Sequence, residues 1–323
     1  MNKGSAFRLL DAFYEAGGNF IDTANIYQNE QSEEWIGEWA EASQTRDSLV
    51  LATKFTMDYH SHAIGKGPRA ANFPGNSRHS IHVSVRGSLK KLRTDYIDIY
   101  YVHYWDFTTS IKEVMDALHI LVEQGKIVAA ANTYALDHGK TSFSIYQGRW
   151  NLHNRDFERD IIPIAREFGM ALAPWDFLGG GKFQYKAELE RRKTAGEGLR
   201  AFAGRPPHQT EEEIKVSEAL EKVASEHGIE SVTSVALAYV MPKAGNVFPL
   251  IGGRKVEHLK DNIRALSLKL TQEQIEHLES VRPFNPGFPH NFIPADPNVT
   301  GSSFLIGRTN AMKFPNAQKP TSL

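Results

Sequence analysis

Short apolar strands alternate with capped helices along most of this chain, and that alternation is its strongest constraint. A first helix from about Ser5 to Ala16 places Phe7, Leu10 and Phe13 at helical spacing and stops at Gly17-Gly18. The strands NFIDTA (19–24), LVLATK (49–54) and YIDIYYVH (96–103) follow, the last after a helix containing Val85, Leu89 and Leu92. Later strand candidates are FSIYQ (143–147), MALAPW (170–175) and NVFPLI (246–251). Ser110 with Glu113, Thr210 with Glu213 and Thr271 with Gln274 have the spacing of capping boxes, and Gly125 closes the helix that Ser110 opens.

Near-continuous apolar strands separated by helices imply a parallel sheet covered by helices. No GxGxxG follows the first strand and no GxxxxGK[ST] occurs, which counts against a Rossmann or P-loop arrangement. A closed (β/α)8 TIM-type barrel is the expected fold, with its chemistry at the rim where the strands end. Two irregularities modify it. A helix precedes the first strand, so the barrel is expected to lack its opening strand. The stretch 126–143 is short beside a full βαβ unit of roughly 30 residues, so a strand or most of a helix is expected to be missing or compressed there. Residues 1–283 are expected to form this one barrel domain. The segment 284–323, rich in Pro, Asn, Gly and Ser, is expected to be a tail.

Composition narrows the function. There are no cysteines, which removes disulfides, thiol catalysis and Cys-based metal sites. A net charge of −1 gives no footprint for nucleic acid or a membrane surface. No apolar run approaches the ~20 residues of a membrane span. The N-terminal residues read as an amphipathic helix, not a signal peptide, so a cytoplasmic location is expected. The Asn298-Val299-Thr300 sequon then reads as a chance match.

Asp22, Tyr27, Lys54 and His103 lie at the ends of three successive strands. Each alone has an ordinary explanation: a helix cap, a loop anchor, a solvated strand end, a core histidine. Together they suit proton transfer to a carbonyl oxygen. A free tyrosine ionises near pH ~10, and an adjacent ammonium favours its phenolate. A carboxylate beyond the lysine keeps that ammonium charged and aimed. Such a set supplies an acid but no hydride, so a nicotinamide cofactor has to be the reductant.

The segments AGGNFIDTANIYQNEQSEEWIGEW, LATKF, SLKKLRTDYIDIYYVHYWD and PLIGGRKVEHLKDNIRAL resemble the aldo-keto reductases. The similarity is to the fungal aryl-alcohol dehydrogenase branch, which includes norsolorinic acid reductases, and it spans about residues 5–293. It implies an NADP(H)-dependent reductase of an aromatic aldehyde or ketone. Tyr27 would be the general acid, Lys54 its partner, Asp22 the counter-ion and His103 the carbonyl orienter. Gln147 would hold the carboxamide and Trp175 would stack on the nicotinamide. Asp176, Leu178, Gly179 and Gly181 would wrap the pyrophosphate. Gly252, Gly253, Arg254, Lys255, His258 and Asn262 would hold the adenosine end; the basic pair suits a 2′-phosphate. Relatives carry a Gly-Val-Ser-Asn or Gly-Val-Ser-Asp segment after GKI, where this chain reads VAAANTY; Asn132 is the amide in that segment and is not assigned to the site. An alternative is an impaired cofactor-binding or regulatory protein on the same scaffold.

Two weaker features complete the reading. His60, His62, His79 and His82 surround a Gly/Pro-rich loop that reads as a substrate-side loop; no metal site is expected, since carboxylates and ligand spacing are lacking. Tyr104, Trp105 and Phe107 either line an aromatic pocket or pack beneath a helix.

Overall fold

The computed structural model describes residues 1–127, 142–196, 199, 208–288 and 290–292. The chain divides into two compact units, one of residues 1–144 with 253–259, the other of 145–252 with 260–323.

The first unit is built on three parallel strands, β1 (Phe20–Asp22), β2 (Val50–Phe55) and β3 (Ile99–Val102), in the order β1-β2-β3. Asp22 lies beside Ala52, and Lys54 beside Tyr101. The ladder outruns the short β1: Val50 N–H donates to the Asn19 carbonyl, Thr23 N–H to Ala52, and Asn25 N–H to Lys54. Those rungs recover the expected 19–24 segment. A further parallel bridge joins Ile97 and Ile127.

Helices α1 (Lys3–Glu15), α2 (Gln31–Ala42), single-turn α3 (Ser61–Ile64), α4 (Arg78–Leu92) and α5 (Ile111–Glu123) accompany this sheet. Asn2 caps α1 through its side-chain oxygen, and Gly17 takes φ +87° beyond its end, as a helix stop requires. Ile36, Trp39, Leu51, Phe55, Ile81, Val85, Leu118 and Leu121 form the core between helices and strands. The Ser110 cap departs from expectation. Its hydroxyl accepts from Glu113 N–H, but the Glu113 carboxylate accepts from the backbone N–H of Arg78 at 2.9 Å. A tie between the starts of α4 and α5 replaces the local return bond.

The second unit holds parallel strands β4 (Ile145–Arg149) and β5 (Ala171–Trp175). The predicted strand 246–251 lies beside β5 with Phe248 N–H donating to Leu172 and Leu250 N–H to Pro174, yet only the Leu172–Val247 bridge qualifies as pairing. Pro174 has no N–H to return, so the ladder loses a rung there. The helix Glu211–Glu226 packs against Val232–Val240 and Gln272–Val281, burying Val216, Leu220, Val235, Tyr239 and Leu278. Thr210–Glu213 and Thr271–Gln274 make the full capping boxes. The helix Val256–Arg264 crosses the division between units. Among the described residues, no helix is long and apolar enough to cross a membrane.

Candidate active site

Parallel register brings the C-terminal ends of β1, β2 and β3 level, and this gathers the four predicted residues of the first unit. Lys54 is 2% exposed. A buried ammonium is tolerable only when its donors are met, and here they are. Nζ donates to Asp22 Oδ2 at 2.6 Å, to the Thr23 carbonyl at 2.6 Å and to Tyr27 Oη at 3.4 Å. Asp22 ends β1 and Tyr27 sits in the loop after it, so one cation spans strand end and loop.

Tyr27 remains 39% exposed although it contacts the buried lysine. The His103 ring stands edge-on to the Tyr27 ring, with centroids 6.3 Å apart and planes at 81°. Burial, with the Lys54 charge added, pushes the His103 pKa down to about 4. The imidazole is therefore neutral at neutral pH, with one N–H donor and one acceptor nitrogen. Its Nδ1 is buried without a hydrogen-bond partner among the described residues. The result is a phenol O–H flanked by a cation on its inner side and a neutral imidazole. That arrangement can protonate a carbonyl oxygen and stabilise the anion left behind.

In the second unit, Gln147 pairs with Ala173, and Arg149 with Trp175. Asp176 follows with φ +73°, its carbonyl accepting from Asn151 Nδ2 at 2.7 Å and from Gly179 N–H at 2.9 Å. Gly179, Gly180 and Gly181 are all left-handed, at φ +57°, +75° and +86°. A Cβ at Gly179 would press on the Phe183 ring at 3.0 Å, whereas one at Gly181 would meet nothing within 4 Å. Amide donation from Gly181, Lys182 and Phe183 to the Leu178 carbonyl closes the turn. Gly252 also faces open space; Arg254, Lys255 and His258 are exposed, and Asn262 is buried.

Sequence reasoning missed Arg149. Its Nε forms an ion pair with Asp176 Oδ2 at 3.0 Å, and its guanidinium lies 4.9 Å from the Trp175 ring centroid. A signal existed, because Arg149 is two residues beyond Gln147 and shares its strand face.

The other predicted features separate. His60 bonds Glu30 through Nδ1 at 2.9 Å, and His79 and His82 lie on α4. No group of three or more metal-ligating side chains occurs among the described residues. Trp105 packs against the core, while Tyr104 and Phe107 are exposed at 52% and 89%. Asn132 and Asn298 lie outside the described residues.

The chain matches the model of the aldo/keto reductase family over residues 1–283. It is 63% identical to the probable aryl-alcohol dehydrogenase AAD4 of Saccharomyces cerevisiae, with 96% of this chain and 98% of that protein covered. It is 53% identical to a protein of Phanerodontia chrysosporium named aryl-alcohol dehydrogenase, NADP(+), covering 90% and 79%. A crystal structure of the thermostable aldo-keto reductase Tm1743 shares the fold, with a TM-score of 0.64 at 24% identity over 86% of this chain and 88% of that one. These matches imply a (β/α)8 barrel, of which the described strands make one three-stranded and one two-stranded parallel sheet. By sequence and by fold, this chain belongs to the aldo/keto reductase family.

Proposed function

We propose that the chain is an NADPH-dependent reductase of aromatic aldehydes and ketones, acting as an aryl-alcohol dehydrogenase in the reverse direction. The observation that carries this reading is the buried Lys54 ammonium, bonded to Asp22 on one side and to the exposed Tyr27 phenol on the other. The names of the two fungal relatives supply the aromatic substrate and, for one of them, the cofactor. The parallel strands and intervening helices read as a (β/α)8 barrel.

In this mechanism Tyr27 Oη donates its proton to the carbonyl oxygen. The Lys54 ammonium offsets the charge that develops on the phenol oxygen, and Asp22 with the Thr23 carbonyl keeps that ammonium in place. His103, neutral at neutral pH, donates a hydrogen bond to the same carbonyl oxygen and aligns it. NADPH, when bound, supplies the hydride to the carbonyl carbon.

The residues assigned to the cofactor have a suitable character. The left-handed glycine turn at Gly179–Gly181 leaves backbone uncovered at Gly181, as does Gly252. Asp176, Leu178, Gly179 and Gly181 are assigned to the pyrophosphate. Gln147 and Trp175 are assigned to the nicotinamide. Gly252, Gly253, the exposed cations Arg254 and Lys255, His258 and Asn262 are assigned to the adenosine end with its 2′-phosphate.

Purified protein titrated with NADPH, with NADH as control, is expected to show saturable, NADPH-selective quenching of tryptophan fluorescence. NADPH oxidation should then depend on an added aromatic aldehyde. Folded protein that neither binds NADPH nor oxidises it would refute the reading.

A further inference from the structure

Directly after Tyr27 the backbone takes three left-handed residues in succession, Gln28, Asn29 and Glu30, with φ of +52°, +54° and +75°. None is glycine, so each opposes the steric preference of an L-residue. Such a run persists only when its surroundings hold it. Backbone turns pin it locally, with Gln31 N–H donating to the Gln28 carbonyl and Ser32 N–H to the Tyr27 carbonyl, and the Glu30 carboxylate ties it to the rest of the unit. Oε2 lies 2.7 Å from Lys91 Nζ on α4, and Oε1 lies 2.9 Å from His60 Nδ1.

Lys91 has a second attachment. Its Nζ is 2.8 Å from Glu33 Oε2 in the first turn of α2. Glu33 is fully buried, and its Oε1 accepts a 2.6 Å hydrogen bond from Thr53 Oγ1. Thr53 immediately precedes Lys54 on β2. The Lys91 side chain is itself only 9% exposed, and its Nζ lies 4.9 Å from the Tyr59 ring centroid. Close packing makes this reach possible: a Cβ at Gly37 would overlap the Lys91 carbonyl, so glycine lets α2 lie directly on the end of α4.

We propose that Lys91 is a positioning residue for the Tyr27–Lys54 pair, joining the loop that carries the phenol, through Glu30, to the strand that carries the ammonium, through Glu33 and Thr53. The proposal rests on the assignment of Tyr27 as the proton donor and extends it to a residue behind the site. Lys91 touches neither Tyr27 nor Lys54 in this scheme. It sets the backbone from which both project, and a displacement of about 1 Å there costs up to roughly 10²-fold in rate.

The test compares wild type with Lys91→Met, Lys91→Arg and the milder Glu30→Gln. The readouts are aldehyde reduction, NADPH titration, and fluorine NMR of protein containing 3-fluorotyrosine. Tyr27→Phe identifies the Tyr27 resonance among the 11 tyrosines. In Lys91→Met we expect kcat to fall about 10- to 100-fold, with NADPH affinity held and the Tyr27 resonance shifted. Lys91→Arg should restore most of both. Should Lys91→Met fail to fold, Glu30→Gln is expected to shift the same resonance and lower kcat by a smaller factor. A folded Lys91→Met with wild-type kcat and an unmoved Tyr27 resonance would overturn the proposal, as would a folded Glu30→Gln that leaves both unchanged. If wild type reduces no aldehyde, the reductase reading fails, and an unmoved resonance in the variants still decides against the tether.

Discussion

Lys54 Nζ lies 2.6 Å from Asp22 Oδ2, and it does so inside a core that leaves the lysine 2% exposed. Removing one partner of such a pair leaves the other charge in a site shaped for two. By that argument Lys54→Met costs about 3–5 kcal/mol of stability, and Asp22→Asn a comparable or smaller amount because Asp22 keeps more contact with solvent. The double variant should be more stable than the sum of the single losses predicts, because neither charge remains unpaired. Urea unfolding of all four proteins checks this; strictly additive losses would show that the two groups do not stabilise each other.

Tyr27→Phe separates chemistry from folding. The phenol oxygen is only the third and longest of the Lys54 contacts, at 3.4 Å. The ring is 39% exposed and phenylalanine preserves it. Stability should therefore change by no more than about 0.5 kcal/mol. Removal of the proton donor should lower kcat by roughly 10²- to 10⁴-fold, with NADPH affinity unchanged within about twofold. Steady-state kinetics beside a fluorescence titration decide it, and retained turnover above a few per cent would remove Tyr27 from the role of acid.

How far these features could be read from the chain depends on the range of the interaction. Strand ends were legible because apolar runs stop at Asp22, Lys54 and His103, and parallel pairing then levels them. Gly17 and Gly125 were legible as helix stops because left-handed backbone favours glycine. The Lys91–Glu30 contact joins residues 61 apart and has no local signature. Glu113 illustrates the same limit: its spacing from Ser110 suits a capping box, but the nearby Arg78 amide takes its carboxylate. Pro174 was visible, yet its effect on the 246–250 pairing emerges only once the neighbouring strand is known. The expected compression at 126–143 falls largely on 128–141, outside the described residues.

His103 gives a pH signature. Burial first, then the Lys54 charge, lowers its pKa from 6.5 to about 4. A histidine with a depressed folded-state value resists protonation in the native state while the unfolded chain accepts it. The stability it contributes is fully present above pH 6.5, falls as pH drops toward about 4, and changes no further below that. The His103→Gln variant should lose less stability than wild type between pH 7 and pH 4.5. An NMR titration of the His103 ring should show its midpoint near 4; a midpoint at or above 6.5 would contradict the neutral-imidazole role.

Arg149 offers a last test, in the second unit. Register places it opposite Trp175 on β5, with the guanidinium 4.9 Å from the indole centroid and Nε 3.0 Å from Asp176 Oδ2. The ion pair fixes the plane of the guanidinium, and the guanidinium in turn restrains the indole. Lysine preserves charge but not that planar face, so Arg149→Lys and Arg149→Met should both shift the tryptophan emission. If Trp175 stacks on the nicotinamide, a freed indole must be ordered again on binding. The Kd for NADPH should then rise about three- to tenfold, equivalent to roughly 0.7–1.4 kcal/mol. The loss should be larger for methionine, which also deprives Asp176 of its cationic neighbour. An unchanged emission spectrum together with an unchanged Kd would mean that the indole is held by its other neighbours, and that Arg149 serves only the turn at Asp176.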